Sequence, residues 1–77
     1  MKKSNDDFHF EIKKHIGVLS TSPKGWNLEL NLMQWNDNKP KYDIRSWDKD
    51  HQKMGKGVTL SIDELKKLRD LLNEMNL

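Results

Sequence analysis

The sequence predicts an α+β protein: a four-stranded, curved antiparallel sheet followed by one C-terminal helix, joined through that helix into a homodimer. Three observations predict it. Apolar and polar residues alternate along four segments parted by Gly, Pro and Asn clusters, which is the period of half-buried strands. One stretch of helical periodicity, opened by a capping signal, closes the chain. Finally, a chain of 77 residues with 34% hydrophobic content can bury only a thin core, so self-association is a natural supplement to its stability.

Residues 1–7 are polar and charged without periodicity and are expected to form a disordered tail; residues 8–77 make a single domain. The first strand starts at Phe8. Phe8, Phe10, Ile12, Ile16 and Val18 fall on even positions against His9, Glu11, Lys13, His15 and Gly17. Lys14 breaks the alternation, and a bulge or strong bend over Lys13 to His15 would keep its charge out of the apolar layer. Ser20 to Gly25 is a turn cluster, after which Trp26, Leu28, Leu30 and Leu32 alternate with Asn27, Glu29 and Asn31 as a second strand. Asn36, Asp37, Asn38 and Pro40 mark the next turn. The third strand sets Tyr42 and Ile44 on one side and Lys41, Asp43, Arg45 and Trp47 on the other; Asp48 to Gly55 is a hydrophilic loop, and Lys56 to Leu60 forms a short fourth strand.

Ser61-Ile-Asp-Glu64 has the form of a capping box, so a helix runs from there to about Met75. Its apolar residues Ile62, Leu65, Leu68, Leu71, Leu72 and Met75 spread over about half the circumference, wider than the ~100° stripe that one sheet requires. Two surfaces are therefore expected to be covered. One flank packs on the helix's own sheet, and the flank around Leu68, Leu71 and Met75 meets the same helix of a second subunit.

Charge narrows the function further by its distribution. The net charge of +2 is modest, but the first seven residues cancel and Ser61 to Leu77 carry −1, which leaves +3 over residues 8–60. The chain has no cysteine, so it holds neither disulfides nor thiolate metal sites. No apolar run approaches the roughly 20 residues that span a bilayer, and no signal-type segment opens the chain; a cytoplasmic protein is expected. His9, His15 and His51 lack metal-ligand spacing, and no nucleophile is set beside a base. Neither a metal, a cofactor nor an enzymatic activity is expected.

If the even positions of the first three strands face the helix, the odd ones form the opposite face. That face gathers Lys13, His15, Asn31, Met33, Trp35, Lys41, Arg45 and Trp47. Cations that follow phosphates and indoles that stack on unpaired bases are the two parts of a single-strand binder. Taken singly, Trp35 and Trp47 read more simply as hydrophobes capped by the Asp48 to Gly55 loop, and the cations as solubilising charge. Taken together on one parity, they favour binding. Lys53 and Lys56 extend the positive charge into the loop with Lys49, and Gly55 and Gly57 would let the backbone approach a phosphate. Met54-Gly-Lys-Gly57 lacks the spacing of a nucleotide-binding loop. At the first turn Lys24 and Trp26 could clamp a strand end, although Trp26 shares parity with the core.

Lys41-Tyr-Asp-Ile-Arg-Ser-Trp47, then Lys53-Met-Gly-Lys-Gly-Val-Thr-Leu60, then a capped amphipathic helix, together resemble the transcriptional positive cofactor 4 (PC4) family, most closely its bacterial YdbC-like branch, from about Phe8 to Met75. The resemblance implies a β-β-β-β-α protomer, helix-mediated dimerisation, and single-stranded DNA lying across the sheet face away from the helices. It puts Trp35 where the family has a base-stacking aromatic, Arg45 at the arginine of the Asp-Ile-Arg strand, and Lys53 and Lys56 at loop lysines near phosphate. Met33 stands where the eukaryotic pattern is basic, and the loop after Trp47 is shorter than in that branch. The expected function is single-stranded DNA binding with little sequence preference, in transcription regulation, replication or repair. Single-stranded RNA binding and a protein-interaction module on the same aromatic face are the alternatives.

Overall fold

The computed structural model describes residues 8–77; the expected tail lies outside the described residues. Strands β1 (Phe10–Thr21), β2 (Asn27–Trp35), β3 (Lys41–Trp47) and β4 (Met54–Leu60) form one antiparallel sheet in the order β1-β2-β3-β4, followed by helix α1 (Ile62–Glu74). The α+β class and the order of elements are those the sequence predicts. β4 begins two residues earlier than expected, at Met54 instead of Lys56.

Each connection follows from its residues. Gly25, at φ 86°, occupies a left-handed position open to glycine, while the Ser22 carbonyl accepts from Gly25 N–H and the Ser22 hydroxyl accepts from Trp26 N–H. Between β2 and β3, Asn36 takes a positive φ of 53° that its short amide tolerates. Its side-chain oxygen accepts from His9 N–H and its own N–H donates to the His9 carbonyl, which ties down the start of β1. Ser61 and Glu64 complete the expected capping box, each side chain accepting from the other's backbone N–H.

β2 and β3 pair one to one from Asn27↔Trp47 to Met33↔Lys41, so their residue parity holds throughout. Leu30 and Ile44 face α1 and, with Leu19, Leu65, Leu68 and Leu72, line an apolar cleft of about 320 Å³ between helix and sheet. β1 behaves differently. Its register shifts three times, between Ile12 and Lys14, His15 and Gly17, and Val18 and Ser20. The first shift is the bulge expected near Lys13; the other two are not legible in the alternation.

A bulge adds one residue and so reverses which parity faces which side. Phe10 lies opposite Trp35 and Ile12 opposite Met33, and directly opposed residues share a face. The even-position reading that set Phe10 and Ile12 toward the helix is thus corrected: they belong to the face away from it.

That face curls inward. Along an extended β2, Asn27 and Trp35 would stand about 26 Å apart, yet Phe10, opposite Trp35, and Trp47, opposite Asn27, bring their rings to 5.4 Å. Side chains from the two ends of the sheet therefore meet over its middle, and the face away from α1 is concave. The most buried residues all lie on it: Met33, Trp47, Glu29, Asn31 and Asp43. On the opposite side α1 touches β3 and β4, and none of its residues is buried. Ile62, Leu71, Leu72 and Met75 remain exposed in the single chain.

Candidate nucleic-acid interface

The concave face is built as a run of aromatic rings beside a run of charges. Phe8 stacks on Trp35 at 6.4 Å with 28° between the planes, Phe10 tilts against Trp35 at 6.0 Å and against Trp47 at 5.4 Å, and His51 lies 5.5 Å beyond Trp47. The strands bring these rings together from distant parts of the chain. The bulge at Lys13 turns Phe10 inward, and the curl closes the distance to Trp47. The buried indole nitrogens of Trp35 and Trp47 have no hydrogen-bond partner among the described residues.

Arg45 joins the two runs. Its guanidinium sits 4.9 Å from the centroid of the Trp35 ring, and its Nε and Nη2 donate to the two carboxylate oxygens of fully buried Asp43 at 2.7 and 2.9 Å. Thr59 Oγ1 donates a further bond to Asp43, and Arg45 Nη1 reaches the Gly55 carbonyl at 3.4 Å. Only 15% of the Arg45 side chain is exposed. Gly57, opposite Arg45, has no room for a side chain, because a Cβ there would collide with Arg45 Cβ and the Ile44 carbonyl. The absence of a side chain at this position is what lets the arginine strand pack so closely.

Below the rings lies a polar cluster centred on Glu29, which is 1% exposed. His51 Nε2 donates to both Glu29 oxygens at 3.0 Å, Asn31 Nδ2 donates at 3.0 Å, and His15 Nδ1 donates to Asn31 Oδ1 at 2.8 Å while lying 3.6 Å from Glu29. Burial alone would raise the Glu29 carboxyl's pKa. The bonds from Asn31 and His51 and the nearby His51 and His15 charges outweigh that and hold it below its ordinary value. His51 itself comes from the loop after β3, at a positive φ of 57°. The loop is shaped by Asp48, whose Oδ1 accepts from the Lys53 and Gln52 amides; these bonds, Lys53's first, lower its pKa. Among the described residues no group of three histidine, aspartate or glutamate side chains is arranged to hold a metal ion.

Of the residues singled out in the sequence, Lys13, Lys24, Lys41, Lys53 and Lys56 are all exposed. Lys41 lies opposite Met33 and so shares the concave face, and Lys13 sits at the first bulge, 3.5 Å from Glu11. Lys24 and half-buried Trp26 lie at the far turn, with the Trp26 ring beside Gly55. Trp35 is half-buried. Three residues of that face depart from the expectation of a bare surface: Met33, Trp47 and Asn31 are all 0% exposed, Trp47 closed over by Phe10 and the His51 loop, Asn31 held between His15 and Glu29. Curling of the sheet is the cause. The simpler reading of Trp47 as a loop-capped hydrophobe matches its burial.

Phe8, Phe10, Glu29 and His51 belong to the site and were not among the expected residues. For Phe8 and Phe10 a signal existed. A bulge at Lys13 entails that the residues before it face opposite to those after it, so the break at Lys14 already carries the exchange of faces.

A family model described as Transcriptional Coactivator p15 (PC4) matches residues 22–71, from the β1–β2 turn through most of α1. The chain is also similar to an uncharacterized protein of Treponema pallidum (strain Nichols), 58% identical over 73 residues that cover 95% of this chain and 86% of the relative.

Proposed function

Because the chain belongs to the Transcriptional Coactivator p15 (PC4) family, a non-enzymatic family of nucleic-acid binders, we propose that it binds single-stranded DNA with little sequence preference, as a homodimer of the bacterial YdbC-like branch. The observation that carries this reading is the concave aromatic face, where the Arg45 guanidinium covers one indole and exposed lysines stand nearby. Stacking rings tolerate any base, and cations follow any phosphate; neither discriminates sequence. In this reading Lys13, Lys41, Lys53 and Lys56 meet the phosphates, and Lys24 and Trp26 guide one end of the strand. Trp35, packed with Arg45 and Phe8, belongs to the ring stack on which bases would lie, while Asn31 and Trp47 hold it from beneath.

The helix supports the dimer. A 13-residue amphipathic α1 with no buried residue leaves Leu71 and Met75 exposed beside half-buried Leu68, and in this reading a second copy of the same helix covers that flank. The processes such a binder serves are transcription regulation, replication or repair, in the cytoplasm. Among the described residues no helix is long and apolar enough to cross a membrane.

Titration of a fluorescent oligo-dT against the full chain tests the reading. Affinity should fall as salt rises, and Lys→Ala at 41, 53 and 56 should flatten the dependence of log K on log salt by about 0.7 per lost phosphate contact. Tighter binding of a matched RNA oligomer would transfer the function to RNA. Absence of salt-dependent binding to either strand would leave the aromatic face to a protein partner and overturn the proposal.

A further inference from the structure

We propose that Phe8 is the outermost stacking surface of this face and takes one unpaired base against its ring; the inference rests on the single-strand reading above. Rings that could meet a base differ sharply in access. Trp47 is 0% exposed, and Trp35 is half-buried with the Arg45 guanidinium over its ring and Phe8 stacked on it. Phe8 is 59% exposed.

Its ring is also held in place. Phe8 lies near parallel to Trp35 and is propped by Phe10 at 6.4 Å, while both backbone groups of the next residue, His9, are bonded to Asn36. An aromatic ring fixed by its neighbours and open to water offers a base a flat surface whose ordering entropy is already spent. A base on Phe8 would continue the order of rings that runs through Trp35 and Phe10 to Trp47. Lys41, which shares the face, and Lys13, at the bulge after Ile12, stand on the strands that carry these rings and supply charge for the adjoining phosphates.

The test compares wild type, Phe8→Leu and Phe8→Tyr in anisotropy titrations with labelled oligo-dT. Leucine keeps the apolar bulk and removes the π face, so Phe8→Leu should bind about tenfold more weakly, while Phe8→Tyr stays within about twofold of wild type. The contact is uncharged, so the salt slope of Phe8→Leu should equal that of wild type. Equal affinity of wild type and Phe8→Leu overturns the proposal, and so does tighter binding by Phe8→Leu, which would make Phe8 an occupant that a base must displace.

Should Phe8→Leu fail to fold, irradiation of the wild-type complex with a 5-iodouracil oligomer decides. An adduct at Phe8 supports the role, and adducts confined to other residues overturn it. The two levels of inference separate cleanly: a wild type that binds no single strand removes both, whereas a wild type that binds with Phe8→Leu unaffected removes only the role of Phe8.

Discussion

His51 Nε2 stands 3.0 Å from each carboxylate oxygen of Glu29, so a single imidazole fastens the loop after β3 to the middle of β2. Removing it leaves a buried carboxylate short of a donor and uncovers one side of Trp47. We expect His51→Ala to destabilise the fold by about 1–3 kcal/mol. In the same variant tryptophan emission should shift to the red as water reaches Trp47, which a fluorescence spectrum of the native state checks.

Glu29 makes the fold sensitive to acid. Its carboxyl is held below the ordinary 4.5 in the folded chain, so the unfolded chain binds the proton more readily. The sign is then set: Glu29's contribution is complete above about pH 4.5 and is lost as the pH falls through the lower, folded value. Glu29→Gln removes this dependence. The difference in urea midpoint between wild type and Glu29→Gln should be largest near neutral pH and close as the solution is acidified.

Arg45 and Asp43 form a buried pair that a lysine cannot reproduce. Lysine supplies a point charge in place of a fork and has no plane to lay on Trp35. Arg45→Lys should lose about 1–3 kcal/mol by chemical denaturation. Arg45→Ala should lose about 3–5 kcal/mol, since Asp43 then keeps Thr59 but no cation.

Two glycines should answer oppositely to the same change. A Cβ at Gly57 would collide with Arg45 and the Ile44 carbonyl, whereas one at Gly17 meets nothing within 4 Å. Gly57→Ala should cost about 1–3 kcal/mol. Gly17→Ala should change stability by no more than about 0.5 kcal/mol, and thermal melts of the pair provide the comparison.

Leu71 is 49% exposed in the single chain. In a monomer Leu71→Glu would therefore be nearly silent, within about 0.5 kcal/mol. In the proposed dimer it buries a charge against the partner helix. Sedimentation equilibrium should give twice the mass of one chain for wild type and one chain's mass for Leu71→Glu, with the wild-type melting temperature rising with protein concentration.

The sequence shows some of this fold plainly and hides the rest for identifiable reasons. β2 and β3 pair without a shift, so the alternation of Leu28, Leu30 and Leu32 with Glu29, Asn31 and Met33 reads true, and the Ser61 to Glu64 box marks the helix start to the residue. β1 misleads because each bulge reverses parity and two of the three leave no mark in the pattern. Burial of Trp47 is legible in the reading of it as a hydrophobe capped by the loop after it, whereas burial of Asn31 depends on how far the sheet curls, a property of the assembled strands. The contact of Glu29 with His51 joins a strand to a loop with no shared motif, so spacing could not reveal it.

β1 is a long strand at one margin of the sheet, and among the described residues no strand pairs with the outer side of its backbone. A straight strand in that position is a template on which further chains can assemble without limit. The three offsets that turn Phe10 inward also break that edge into short lengths, and a straight incoming strand could match only one of them at a time. The distortions that shape the concave surface thereby guard the protein against fibrous self-association.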